Sequence, residues 1–175
     1  MYATNYVKAT RLDDAVAKLR AAEDGKLLAG GQTLLPTMKQ RLAAPSDIID
    51  VTKIPELQGI SVSGDSVTIG AATTHATVAA SSEVANAIPA LAALAGGIGD
   101  PAVRNMGTIG GVLANNDPAA DYPAAVLGLG ATIHTSKGSY SADEYFTGMF
   151  ETALDEDEII TKVVFPIPQK AAYEK

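Results

Sequence analysis

The chain contains no cysteine and no tryptophan. The first absence excludes disulfides, zinc fingers, thiolate nucleophiles and cysteine-ligated iron–sulfur clusters on this chain. Only 5% of residues are aromatic, too few for a base-stacking surface. Positive charge is scarce as well: 13 Lys and Arg against 20 Asp and Glu leave a net charge of −7. That balance is a poor match to nucleic acid or to an anionic membrane. Long apolar runs are missing. The longest, Ala124 to Ile133, is broken by Gly128 and Gly130, well short of the roughly 18–20 apolar residues of a membrane-spanning helix. The N-terminus, MYATNYVKAT, has no basic region followed by an apolar one, so no secretory signal is visible and a cytoplasmic protein is expected. His75 and His134 are the only histidines. No HExxH spacing surrounds them, so a metal site is not expected. There is no Gly-x-Ser-x-Gly nucleophile elbow either.

What remains is enough to fold. Of 175 residues, 47% are hydrophobic and 19% charged, which suits one domain, or two small subdomains sharing a cofactor. Tyr6 and Val7 read as a short strand. Thr10 and Asp13 read as a capping pair opening a helix with Leu12, Val16 and Leu19 on one face, and Gly25 as its end. Lys26 to Ala29 reads as a strand, Leu34 to Leu42 as a helix, and Ile48 to Val51 as another strand. Pro55 to Gly59 resembles a connector. Residues 60–63 and 66–69 alternate apolar and polar around Gly64-Asp65, a hairpin signal. Thr74 to Ala95 predicts two helices separated at Pro89, and Ala120 to Leu127 a further one. Residues 132–135 and 139–141 predict paired strands, and Glu158 to Phe165 a last strand. Helices mixed with hairpins favour an α+β class over a doubly wound sheet.

Two diglycines stand in similar settings: Leu28-Ala29-Gly30-Gly31-Gln32-Thr33 and Gly107-Thr108-Ile109-Gly110-Gly111. Glycine admits φ > 0 and close approach of a ligand to the main chain. Successive N–H groups in such turns form nests for phosphate oxygens, to which Thr33 and Thr108 can add hydroxyls. Two such loops can hold a pyrophosphate from both sides, without a basic field. Neither is a P-loop or a dinucleotide fingerprint, since no Gly-Lys-Ser/Thr and no Gly-x-Gly-x-x-Gly occurs. Ordinary turns after strands are the alternative. After the second diglycine come Asn115, Asn116, Asp117 and Asp121. Asp117 fits a helix cap near Pro118. Asp121 either accepts hydrogen bonds from ribose hydroxyls or complements the helix dipole. Arg104, three residues before Gly107, either approaches a phosphate or braces the Asp100-Pro101 turn. The acidic stretch Glu151 to Glu158 reads as a solvated loop, and His75 as polar support for the Thr73-Thr74 turn.

Taken together, Ala29-Gly30-Gly31-Gln32-Thr33-Leu34-Leu35-Pro36, Ile69-Gly70-Ala71-Ala72-Thr73-Thr74-His75 and Arg104-Asn105-Met106-Gly107-Thr108-Ile109-Gly110-Gly111 resemble the FAD-binding medium subunits of molybdenum hydroxylases. Those of aerobic carbon monoxide dehydrogenase and xanthine dehydrogenase are examples. The resemblance implies an α+β, two-subdomain FAD-binding fold of the vanillyl-alcohol-oxidase (PCMH) type. Its subdomains would be 1–57 and 58–175, with the family's C-terminal domain absent from these residues. It implies that Ala29, Gly30, Gly31, Gln32, Thr33 and Leu34, with Thr108, Gly110 and Gly111, wrap the FAD pyrophosphate. Asp121 would meet the adenosine ribose, Ile98 the isoalloxazine and Ile160 the adenine side, with Asn115 as a polar contact. No residue is assigned a catalytic role. Gln32 stands where some flavoproteins of the wider fold carry a histidine bonded to FAD, so noncovalent FAD is expected. Val112 replaces the Asn or Ser of many relatives.

The resemblance further implies an oxidoreductase subunit that relays electrons. Its partners would be a small iron–sulfur subunit carrying [2Fe-2S] clusters and a large molybdopterin subunit. Quinone, NAD or oxygen would be the acceptor. The absence of cysteine agrees, because clusters must then lie on another chain. Peripheral placement at the inner face of the membrane is the second location beside the cytoplasm. The rival functions are a non-redox nucleotide- or phosphate-binding module and a stand-alone flavin reductase.

Overall fold

The computed structural model describes all 175 residues. The first strand, β1 (Asn5–Lys8), leads into α1 (Leu12–Ala21), β2 (Gly25–Leu28), α2 (Leu34–Lys39) and β3 (Asp47–Asp50). These strands form a parallel sheet in the order β1-β3-β2. The apolar pair Ile48 and Ile49 makes β3 the buried centre, and Ala15 and Leu19 of α1 pack over it. Two expectations shift here. Residue Arg11, extended and without a side-chain cap, precedes α1 in place of a Thr10–Asp13 pair. Gly25 opens β2 and does not end α1. A Cβ on it would lie 2.9 Å from that of Ala22 and 3.0 Å from Leu19 Cδ1, so glycine allows helix and strand to pack closely.

A short 3-10 turn (Pro55–Leu57) leads to the antiparallel sheet. Its members are β4 (Ile60–Ser63), β5 (Ser66–Gly70), β6 (Thr132–Thr135), β7 (Ser139–Ser141) and β10 (Ile160–Pro166), in the order β4-β5-β10-β6-β7. The β4–β5 hairpin forms in the expected register, with Ser63 opposite Ser66. Central strand β10 alternates as a half-buried strand should, with Val163 and Phe165 fully buried. Between β5 and β6 run α3 (His75–Ala80), α4 (Ser82–Ala87), α5 (Pro89–Gly96), α6 (Pro101–Met106), α7 (Ile109–Asn115) and α8 (Tyr122–Gly128). Val78, Val84, Leu91, Leu94, Ile109 and Leu113 bury themselves in the same core as Val67, Ile69 and Ile133. Three helices therefore fill the alanine-rich stretch read as two. The extra break falls at Ser81, whose hydroxyl accepts from Val84 N at 3.2 Å, the ordinary work of an N-cap. The last elements are α9 (Ala142–Tyr145) and the hairpin of β8 (Phe146–Gly148) with β9 (Glu151–Thr152).

The connector is pinned down. Ala72 N donates to Leu57 O (2.7 Å) and Gly70 N to Gly59 O (2.9 Å). Gly59 N donates to the Thr73 hydroxyl at 3.1 Å. Ala72 and Ile159, from the second half of the chain, join the core of the parallel sheet. Arg20 Nε meets the Asp157 carboxylate at 2.6 Å across the seam. The stretch 151–158 is thus not simply a solvated loop. Asp155 and Asp157 share Lys137. Glu158 is buried and accepts from the hydroxyls of Thr135 and Tyr140 and from Asp155 N.

Candidate cofactor site

A cleft of about 1010 Å³ opens along the seam between the two sheets, and all thirteen residues singled out in the sequence border it. Its walls carry carboxylates at Glu23, Asp24, Asp117, Asp121, Glu156 and Glu158, and ammonium groups only at Lys26 and Lys175. Both ammonium groups are already paired, Lys26 with Asp24 at 3.1 Å and Lys175 with Asp121 at 2.9 Å. An anion in this cleft must therefore be held by uncharged donors, main-chain N–H groups foremost.

The first diglycine supplies them. Between β2 and α2 the chain turns at Gly31, with φ +68°. None of the five successive N–H groups from Ala29 to Thr33 donates to a protein acceptor. Gln32 folds back, its amide donating to Gly30 O at 3.3 Å. Thr33 precedes α2 with its hydroxyl free of any cap, and Leu34 opens that helix. A run of unmet donors around a left-handed glycine is the composition of an anion nest.

The second diglycine differs from expectation. Gly110 and Gly111 are not a turn with φ > 0 but the first turn of α7. Gly110 N already donates to Ala71 O at 2.9 Å and Gly111 N to the buried Thr108 hydroxyl at 3.2 Å. Here glycine serves contact between elements. A Cβ on Gly110 would fall 2.7 Å from that of Ala71. Gly111 faces the other way, exposed, with only the Thr108 hydroxyl (3.0 Å) and Ala29 Cβ (4.0 Å) near its missing Cβ. This segment is thus a smooth wall opposite the N–H run. The two segments also touch directly. A Cβ on Gly30 would lie 2.6 Å from Gly107 Cα and closer still to the Met106 carbonyl oxygen. Since both obstacles are backbone, Gly30→Ala is expected to cost about 2 kcal/mol of stability, read from urea denaturation. An unchanged midpoint would contradict this close contact.

Asp121 lies at the N-terminus of α8, immediately before Tyr122. Its carboxylate accepts from the Tyr173 hydroxyl and from Lys175 Nζ. Asp117 caps only a local turn, accepting from Ala119 N at 2.9 Å. Ile98 stands in the loop after α5. Arg104 braces that loop, its Nη1 donating to Ile98 O (3.1 Å) and Gly99 O (3.0 Å), just before the Asp100-Pro101 turn. Asn115 ends α7 with its side chain uncommitted to protein partners. Neighbouring Asn116, left-handed at φ 43°, instead ties the β8–β9 hairpin through bonds of 2.8 Å to Gly148 O and Glu151 O. Ile160 opens β10 beside the seam and is buried.

Sequence reasoning missed His75 as part of this wall. It does not support the Thr73-Thr74 turn with its ring. Its backbone N donates to Gly107 O at 3.0 Å, and its ring fills the space left by Gly107. Burial pushes its pKa down to about 4, while Asp121 acts weakly in the opposite sense. The available signal was Gly107 itself, a glycine that a facing ring requires.

A cradle closed to Cβ atoms at Gly30, with five unmet N–H donors beside it, fits the diphosphate of a dinucleotide such as FAD. The comparisons with known proteins agree. Residues 2–168 match the family model described as the FAD binding domain in molybdopterin dehydrogenase. The nicotine 6-hydroxylase medium subunit of Paenarthrobacter nicotinovorans is 40% identical over 94% of this chain and 59% of its own. The carbon monoxide dehydrogenase medium chain of Hydrogenophaga pseudoflava is 41% identical over 93% and 59%. Among solved structures, a Cu,Mo-CO dehydrogenase superposes with TM-score 0.91 at 37% identity, covering 96% of this chain and 61% of that one. Quinoline 2-oxidoreductase from Pseudomonas putida 86 does so with TM-score 0.92 at 35% identity, covering 95% and 60%. The chain therefore spans about three fifths of the length of these relatives. It belongs to the family of FAD binding domains in molybdopterin dehydrogenases.

Proposed function

We propose that this chain binds FAD noncovalently in the seam cleft and serves as the flavin-carrying, electron-transferring medium subunit of a molybdenum hydroxylase. In this reading residues 1–57 and 58–175 are the two FAD-binding subdomains. The observation that carries it is the run of unmet N–H groups from Ala29 to Thr33 beside the Gly30–Gly107 contact. These donors hold the diphosphate, and Gly111 leaves it room. The Asp121 carboxylate accepts from ribose hydroxyls once Tyr173 and Lys175 yield to them. Arg104 keeps the Ile98 loop in place at the cleft's edge. FAD supplies the redox chemistry when bound, and no side chain of this chain is asked to act as acid or base.

The molybdopterin and [2Fe-2S] centres belong, in this proposal, to a large and a small partner subunit. Quinone, NAD or oxygen is the final acceptor. No helix is long and apolar enough to cross a membrane; the proposed location is the cytoplasm or the inner membrane face. The test is direct. The purified chain mixed with FAD should show bound-flavin absorption, and acid precipitation should leave all yellow colour in the supernatant. Flavin retained in the pellet would refute the noncovalent reading. A chain that binds other nucleotides but never FAD would favour a non-redox module.

A further inference from the structure

Only two buried side-chain polar atoms lack a hydrogen-bond partner: Nδ1 of His75 and the hydroxyl of Tyr122. Such groups are costly unless met, and an ordered water is the usual partner when the protein supplies none. They belong to one place. The two rings lie 5.3 Å apart between centroids, tilted by 42°. His75 opens α3 and Tyr122 opens α8, with exposures of 2% and 0%. The opposite edge of the imidazole carries Nε2, against Gly107, where a Cβ would come within 2.6 Å of it. Gly107 abuts Gly30, and His75 borders the cleft. Nε2 makes no protein hydrogen bond. An uncharged imidazole carries one N–H, and the partner at one nitrogen decides which nitrogen holds it.

We propose that the Tyr122 hydroxyl, acting through one buried water, supplies a donor to Nδ1 of His75, so that Nε2–H faces the cleft as an uncharged donor to a phosphate oxygen of the bound dinucleotide. The identity of that acceptor rests on the FAD reading above; the tautomer does not. His75 is then a binding residue and Tyr122 a positioning residue. An uncharged donor suits a wall that already holds carboxylates, because it adds no ion to be desolvated.

The test is ¹⁵N NMR of histidine in the full chain at pH 7, without and with FAD, the second histidine being assigned by His134→Asn. The expected result is the Nε2–H tautomer at His75 in both states. Tyr122→Phe should shift the tautomer population, lower the melting temperature and weaken FAD binding roughly five- to tenfold, the value of one hydrogen bond. The Nδ1–H tautomer in the parent chain would overturn the proposal. So would Tyr122→Phe that raises the melting temperature and leaves FAD affinity alone, because the hydroxyl would then be merely unpaired. Should the parent chain bind no FAD, the cofactor reading fails, while the change in tautomer population on Tyr122→Phe, measured without flavin, still decides the pair. Should Tyr122→Phe not fold, the ¹⁵N shift of Nδ1 in the parent chain decides: a hydrogen-bonded acceptor lies upfield of a bare one, and a bare Nδ1 would overturn the proposal.

Discussion

Gly111→Val is expected to weaken FAD binding about a hundredfold, a loss of about 3 kcal/mol, with little change in folding stability. Gly111 is exposed in the first turn of α7, where a Cβ meets only the Thr108 hydroxyl at 3.0 Å and Ala29 Cβ at 4.0 Å. Branched methyls added there project across the gap toward Ala29, the start of the unmet N–H run. They occupy the space the diphosphate needs and leave the core alone. The neighbouring glycines cannot give so clean a reading. A side chain on Gly110 collides with Ala71 Cβ at 2.7 Å, and one on Gly31 must tolerate φ +68°. Both changes injure the fold before they report on a ligand. Flavin titration together with thermal melting checks the prediction. Unchanged affinity in a folded Gly111→Val chain would remove this wall from the site.

The second large effect is on stability against acid. His75 is nearly inaccessible, and burial holds its pKa at about 4 in the folded chain against an ordinary 6.5. The unfolded chain binds this proton first as pH falls, so it carries more protons than the native state in that window, and stability rises with pH there. The contribution is complete above about pH 6.5 and is lost progressively as pH falls through about 4, amounting to roughly 3 kcal/mol in all. Burial outweighs the opposing pull of Asp121, and the value of about 4 is the net of the two. Urea denaturation of the parent chain and of His75→Phe, run from pH 7 to pH 4, isolates the effect. The substituted chain should lose less stability over this range. Identical pH slopes in the two would place the acid sensitivity elsewhere.

Much of the architecture was legible because local chemistry and tertiary structure agree. The alternation of residues 60–69 around Gly64-Asp65 needs only a two-residue turn to become β4 and β5. The alternation in β10 likewise marks a strand buried on one face. Positions around Gly25 and Gly110 misled for one reason. A glycine reads as a turn or a cap, but at both positions the missing Cβ makes room for an element distant in sequence or adjoining in space. Only the packed chain reveals that neighbour. Glu158 was hidden similarly. Five acidic residues in eight look solvated, yet one turns inward to accept from Thr135, Tyr140 and Asp155 N.

By itself the sequence determined that no disulfide or cysteine-ligated cluster can reside on this chain, since cysteine is absent. It also determined that an anionic ligand would need uncharged donors, main-chain N–H groups foremost, since cations are few. Both follow from counting, because side-chain chemistry survives any folding. Tertiary structure alone decided which glycine segment offers those donors. The N–H groups of 29–33 remain unmet, whereas those of 109–111 are taken by Thr73, Ala71 and Thr108. Hydrogen-bond satisfaction is a property of the neighbours a backbone finds, and Thr73 and Ala71 reach this helix from a distant part of the chain.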